Sequence, residues 1–279
     1  MIEKLKEKLD SMIKVFEVLY VLSGVKQSAR IMVSEDDYLD IKSFLESYNL
    51  CIAGSNFKVL KLDNGAYSNK GERISCDDNR KGHFFMYVAK SDDIITKLQK
   101  YEETFDHINL GLTLGYPRCC CNFFQKHSKQ QEMKNNDYIL PAINNSDGCI
   151  YPFYNNFTAR YFDLTLISHF PCNFNCQKSL DIGKKNLAVI ESHSSEYAGV
   201  LRAMLKCGVV YTENYGVFLL RNSRLNGDEI IYDSILGNAE NNLSGLLKKN
   251  HAIQIKNKHC IQIGSEKITT KNMGFLLFI

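Results

Sequence analysis

Five of the ten cysteines in this 279-residue chain fall in two short segments, each containing a proline just before its thiols. The upstream segment reads LGYPRCCC at residues 114–121, and the downstream one reads HFPCNFNCQKS at residues 169–179. Clustered thiols outside a disulfide framework favour metal binding or thiol chemistry. If the two segments meet at one site, the fold must close a loop of about fifty residues, and this constrains the chain strongly.

Both segments have the local pattern of a helix start. Proline is tolerated at a first helical position, and Gly115 is suited to end a preceding helix in the left-handed conformation. The positive end of the helix dipole lowers the pKa of a nearby thiol, and thiolate is the form that binds metals. Cys172 and Cys176 are four residues apart, so a helix running to Ile190 would place both on one face, which Ser179 continues.

The upstream thiols cannot all bind one ion, because consecutive helical residues point about 100° apart. We expect one or two of Cys119, Cys120 and Cys121 to be ligands, and the third to pack or to act as a free thiol. The alternative without metal binding or catalysis is that Cys172 and Cys176 are buried and act as small hydrophobic residues. Their polar neighbours, such as Asn173 and Lys178, weigh against it.

The composition is that of an ordinary globular protein, with 34 basic and 31 acidic residues and a net charge of +3. This balance argues against nucleic acid or an anionic membrane as the main partner. Residues 1–10 lack the apolar core of a secretory signal, and Val15 to Leu22 is too short to span a bilayer. We therefore expect a cytoplasmic protein with reduced thiols and no membrane partner. The oligomeric state stays open.

Mixed periodicities predict an α+β fold in three parts. These are a small mixed N-terminal domain at 1–106, a central helical core bearing the cysteines at 107–207, and an antiparallel β region at 208–279. Residues 2–23 have a helical period, and the polar stretch from Asp63 to Lys81 predicts a loop. The helix that starts at Pro117 is expected to turn polar towards Asn136. The asparagine-rich stretch from Asp137 to Asn156 predicts a long connection between the two cysteine segments, of the kind that forms lids or binding loops.

Two metal centres fit the cysteine pattern. A four-iron cluster is favoured, because iron–sulfur clusters accept varied thiolate spacings and could leave one iron open. Zinc is the alternative, although paired C-x2-C ligands would be more typical. The C-x3-C pair also resembles radical S-adenosylmethionine enzymes, but their third cysteine is missing after Cys176. No P-loop, dinucleotide fingerprint or serine nucleophile elbow is present in the sequence.

The two segments together resemble a family of uncharacterised prokaryotic proteins with a Gly-Tyr-Pro-x-Cys-Cys motif followed by His-x-Pro-Cys-x-x-x-Cys-x-x-Ser. The resemblance covers roughly residues 85 to 190, and Cys121 is extra to it. The resemblance implies where the site is. It implies no activity, because none is established for the family. The matching positions are Tyr116, Pro117, Cys119, Cys120, His169, Pro171, Cys172, Cys176 and Ser179.

The leading hypothesis is an iron–sulfur enzyme of the transferase or lyase type, which modifies a small polar metabolite or a peptide, for example by sulfur transfer. Structural zinc, held by His169 and three cysteines in an interaction protein, and a metal-free thiol enzyme are the alternatives. The predicted metal ligands are Cys119, Cys120, Cys172 and Cys176, and the predicted catalytic residues are His169, Cys121 and Ser179. The predicted substrate contacts are Tyr116, Arg118, Asn155, Arg160 and Lys178.

Overall fold

The computed structural model describes residues 1–61, 71–132 and 137–279, and it has the predicted α+β class. The described residues pack as two units. The first comprises 1–61, 71–132 and 185–194, and the second comprises 137–184 and 195–279. The predicted division at 106 and 207 stays a prediction.

The first unit contains an antiparallel sheet with helices on its faces. Its helices are α1 (Ile2–Lys6), α2 (Met12–Leu22), α3 (Tyr38–Glu46), α4 (Asp92–Glu103), α5 (His107–Thr113) and α6 (Arg118–Glu132). Its strands are β1 (Ser28–Ser34), β2 (Cys51–Gly54), β3 (Phe57–Lys61), β4 (Gly71–Ser75) and β5 (His83–Ala89).

Strand β5 is central in this sheet, with β1 on one edge and both β2 and β3 on the other, while β4 pairs with β3. Side chains alternate between the faces of a strand. Tyr87 and Ala89 therefore share a face and pack with Ile95 and Leu98 of α4, whereas α2 packs on β1 and β5. The C-terminal half of β5 is buried because helices cover the sheet.

A buried carboxylate forms ion pairs with arginines on both edge strands of this sheet. Glu102 of α4 is 2% exposed and accepts hydrogen bonds from Arg30 of β1 and Arg73 of β4, the latter at 2.6 Å. The Arg73 guanidinium also stacks between the rings of Phe57 and Phe105, at 4.1 and 4.7 Å from their centroids. Burying a charge is costly unless it is paired, so each arginine offsets the desolvation of Glu102.

Two predictions for the N-terminal third need correction. The periodic stretch at 2–23 forms two helices instead of one, because Ser11 caps α2 by accepting a hydrogen bond from the Lys14 N–H. Part of the predicted loop at 63–81 is strand β4, which pairs with β3. Residues 63–70 of that loop and the predicted polar end of α6 at 133–136 lie outside the described residues.

The second unit contains two antiparallel-rich sheets and several helices. Its helices are α7 (Ile139–Asn144), α8 (Gln177–His193, of which 177–184 belong here), α9 (Ser195–Leu205) and α10 (Asn242–Lys249), with short 3-10 helices at Phe153–Asn155 and Thr158–Phe162. Its strands are β6 (Ile150–Tyr151), β7 (Gly208–Thr212), β8 (Gly216–Arg221), β9 (Arg224–Asn226), β10 (Glu229–Ile231), β11 (Ser234–Gly237), β12 (Ala252–Asn257), β13 (Cys260–Ile263), β14 (Glu266–Thr269) and β15 (Met273–Phe278).

The predicted C-terminal antiparallel strands are confirmed as two sheets, with the orders β14-β13-β12-β10-β9 and β11-β8-β7-β15-β6. Buried side chains from both sheets share one core, including Phe218, Phe275 and Ile261. Helix α10 was not predicted. Its start is a capping box, in which Asn241 and Ser244 each bond the other's backbone N–H.

The asparagine-rich stretch at 137–156 is not the long connection that the sequence predicts, because it contains α7, β6 and a 3-10 helix. The Asp137 carboxylate accepts a hydrogen bond from the Ile139 N–H, at the first residue of α7. Tyr151 of β6, later in the same stretch, is buried. Among the described residues, no helix is both long and apolar enough to cross a membrane. All ten cysteines lie in the described residues, and none of them is in a disulfide.

Candidate metal centre

The upstream cysteines are positioned by the junction of α5 and α6. Gly115 has φ +81°, and its N–H bonds the carbonyl of Leu112 while the Tyr116 N–H bonds that of Gly111. This is the Schellman arrangement that ends a helix at a glycine. The chain then reverses, and α6 begins directly after Pro117, whose carbonyl accepts from the Cys120 N–H. The predicted helix start at the upstream thiols is confirmed.

The downstream cysteines lie in a turn, which corrects the prediction of a helix from Cys172. Helix α8 begins only at Gln177, so Cys172 and Cys176 precede it. Asn173 is the reason, because its Oδ1 accepts from the Asn175 N–H and its carbonyl accepts from the Cys176 N–H. Asparagine competes with helix formation through such local bonds. The turn also lets the Asn173 amide donate to the Cys172 Sγ at 3.7 Å.

Side chains from the asparagine-rich stretch hold this turn. The Asn145 amide donates to the Cys172 carbonyl at 2.6 Å, and the Asn155 amide donates to the Phe174 carbonyl at 3.1 Å. The Phe174 N–H donates to the Ser146 hydroxyl at 2.9 Å. Sequence reasoning missed Asn145 and Ser146, although the density of asparagines was the signal. Asn155, predicted as a substrate contact, has no exposed surface and supports the backbone of the turn.

The ends of the downstream motif are joined by a buried hydrogen bond. Nε2 of His169 and Oγ of Ser179 lie 2.8 Å apart, and both residues are buried. Between them, the Phe174 ring is fully buried against Tyr151 and Phe278, at 5.3 and 5.6 Å between centroids. The bond and the aromatic anchor together fix the segment that carries Cys172 and Cys176. Catalytic roles for His169 and Ser179 stay predictions.

The four predicted ligand cysteines come together. The Sγ atoms of Cys119, Cys120, Cys172 and Cys176 all lie within 4.8 Å of one another, and those of Cys119 and Cys120 are 4.0 Å apart. Cys120 and Cys176 are buried, whereas Cys119 and Cys172 are partly exposed. Thiolate sulfurs at such separations can bind a metal ion. No group of metal ligands in the described residues other than these four has this geometry.

Cys121 is not a member of the group. Its sulfur lies 3.9 Å from the Tyr116 carbonyl and packs beside Gly111, where a Cβ atom would come within 2.7 Å of it. Burial raises the pKa of the Cys121 thiol to about 11, with a further contribution from Cys119. A thiol in this state is a poor nucleophile at neutral pH. The catalytic role of Cys121 stays a prediction. The burial of its thiol disfavours that role.

The remaining predicted substrate contacts lie in different settings. Tyr116 is half-buried, with the Lys26 ammonium 5.4 Å from its ring centroid, and Lys26 is itself paired with buried Glu17. Arg118 and Lys178 are exposed in the first turns of α6 and α8. Arg160 is partly exposed and stacks on aromatic rings.

No family model matches the chain, and searches of the curated proteins and of the solved structures found no match either. The motif resemblance therefore stays a prediction, and the site must be interpreted from its own geometry.

The His169–Ser179 bond gives a first prediction. Replacing Ser179 by alanine removes the hydroxyl that bonds the buried His169 imidazole, and we expect metal affinity to fall about tenfold, at the lower end of the range for residues that support metal ligands. Competition with a chromogenic chelator measures this affinity. Ser192→Ala is the control, since that hydroxyl, also on α8, bonds the local Val189 carbonyl. Equal affinities in the two variants would show that the bond does not support the centre.

Proposed function

We propose that this chain is a metalloprotein that binds a single tetrahedral metal ion, zinc, through Cys119, Cys120, Cys172 and Cys176. The observation that carries the proposal is the separation of the four sulfurs, all within 4.8 Å of one another. Four thiolates around one zinc ion, at about 2.3 Å each, form a tetrahedron with edges of about 3.8 Å. The upper limit of 4.8 Å on the sulfur–sulfur distances is therefore only about 1 Å above this edge length.

This geometry favours one ion over the four-iron cluster that is the leading hypothesis from the sequence. In such a cluster each thiolate binds a different iron, so the sulfurs must span the whole cluster instead of one ion. Tetrahedral four-sulfur coordination is typical of zinc. Both arrangements use the same cysteines, and the elemental composition of the protein distinguishes them.

A complete set of four protein ligands is typical of structural zinc, since catalytic zinc keeps a position open for water or substrate. We infer that the ion would fix the backbone segments that carry its four ligands. Its chemistry would be to hold four thiolates deprotonated and to stabilise the fold. This differs in its ligands from the zinc alternative from the sequence, which used His169 and three cysteines, and no catalytic step is assigned to the ion.

Elemental analysis tests the proposal. Protein purified anaerobically from medium containing both zinc and iron should be colourless, with about one zinc per chain and no acid-labile sulfide. Cobalt exchanged for zinc should give thiolate-to-metal charge transfer and the intense visible bands of tetrahedral cobalt. A brown protein with about four irons and sulfide would reverse the choice of centre. Protein that takes up neither metal would reject a metal site altogether.

A further inference from the structure

Arg160 lies in the 3-10 helix Thr158–Phe162 with its guanidinium over aromatic rings. Its Cζ is 4.6 Å from the ring centroid of Phe157 and 5.3 Å from that of Phe170, and the two rings are 4.6 Å apart. Stacking on aromatic faces restricts the plane of a guanidinium and covers one of its sides. The cation is therefore held in place although its residue is partly exposed.

No acceptor for the hydrogen-bonding edge of this guanidinium is found in residues 1–61, 71–132 and 137–279. Within the described parts of the chain, the Arg160 side chain forms no ion pair and donates no hydrogen bond, and none of its nitrogens is sealed from solvent. Arginine carries five N–H donors in a planar fork. Here the fork is fixed, open to solvent and available to an acceptor from outside the chain.

Two other arginines of this chain show what a purely structural stacked arginine looks like. Arg30 stacks on Phe85 and Arg73 on Phe57, and both donate to the buried carboxylate of Glu102. Their charge is neutralised inside the fold. Arg160 has the same aromatic support, but among the described residues no carboxylate neutralises its charge.

The aromatic platform is continuous with the downstream cysteine turn. Phe170 precedes Pro171 and Cys172, and its other neighbour is the ring of Tyr138 at 4.6 Å. An ion bound at Cys172 would fix the backbone that carries Phe170, and Phe170 in turn orients Arg160. The anion site depends in this way on the metal-held turn.

We propose that Arg160 binds the oxyanion group, carboxylate or phosphate, of a small-molecule ligand beside the metal-held turn, an inference that rests on the proposed metal centre. A planar fork binds such groups through two parallel hydrogen bonds, and these are stronger than bonds between neutral partners. The competing explanation is that Arg160 only balances the negative charge of the thiolates. That explanation predicts an effect on metal affinity and none on anions.

The test uses the zinc-loaded full chain with inorganic phosphate and acetate as separate probes. Phosphorus and methyl-proton linewidths, followed as protein is added, give the two affinities. Arg160→Gln should weaken binding of the preferred anion at least about tenfold, and Arg160→Lys should weaken it less, because lysine keeps the charge but loses the fork. Lys206→Gln is the matched control, since it removes a cation 5.1 Å above the Phe153 ring in the same unit.

Binding of one probe that is lost in Arg160→Gln and kept in Lys206→Gln supports the proposal and identifies the oxyanion. Binding of neither probe, or equal binding by both variants, overturns it. A loss of zinc in Arg160→Gln with unchanged anion binding also overturns it, in favour of charge balance. Zinc content and the cobalt spectrum are recorded for each sample. If the chain binds no metal, the proposed metal centre is wrong. If the metal-loaded chain binds neither anion, only this inference is wrong.

Discussion

Cys176→Ser should lose its metal and much of its stability. The Cys176 sulfur is buried and belongs to the four-thiolate group. Changes that only neighbour metal ligands weaken binding by roughly 10–100-fold, so the loss of a ligand should exceed about a hundredfold. With free metal about 1,000-fold above its dissociation constant, bound metal stabilises the folded chain by about 4 kcal/mol, and the variant forfeits most of this.

Zinc content after dialysis and the midpoint of thermal unfolding measure the two effects. Cys76→Ser is the control, because Cys76 is exposed and lies outside the group. It should keep about one zinc per chain and unfold at the original temperature. If Cys176→Ser retained stoichiometric zinc, the proposed four-thiolate set would be wrong.

Glu102→Ala should destabilise the fold by about 3 kcal/mol. Removing this buried carboxylate leaves Arg30 and Arg73 without their shared acceptor, and breaking a buried pair is costly because the remaining charge is uncompensated. Both arginine side chains are about one-third exposed, so water can solvate them in part, which places the value at the lower end for buried pairs. Urea-induced unfolding gives the free energy.

The adjacent residue provides the control for this prediction. Glu103 is exposed and accepts one hydrogen bond from the Asn56 amide at 2.9 Å. Glu103→Ala should cost less than about 1 kcal/mol, because exposed polar contacts contribute little. Similar losses in both variants would mean that helix propensity in α4, and not the buried ion network, determines the result.

Local sequence signals predicted the parts of the site that depend on near neighbours. Gly115 and Pro117 predicted the end of α5 and the start of α6, because a positive φ and a missing N–H are properties of single residues. The same reasoning failed for Cys172. Pro171 resembles a helix start, but the side-chain and carbonyl bonds of Asn173 delay α8 until Gln177.

Supporting residues distant in sequence from the cysteines could not be assigned from the pattern. Asn145 and Asn155 bond backbone carbonyls at Cys172 and Phe174, which are about twenty or more residues away. A stretch with many asparagines predicts a loop by composition. Only contacts with the downstream turn show that these amides bond its backbone carbonyls, and the carbonyl of Phe174 is buried and would otherwise be costly to leave without a partner.

The sequence by itself determined the α+β class, the strands of the C-terminal region and the two segments that carry the thiols, because periodicity and residue chemistry act locally. Tertiary structure alone decided which sulfurs meet. Cys119 and Cys120 join Cys172 and Cys176 within 4.8 Å, whereas Cys121 turns towards Gly111. The same holds for Arg160, because only its neighbours in the structure show that no carboxylate of the described segments pairs with it. Distances between residues far apart in the chain depend on packing, and no local pattern encodes them.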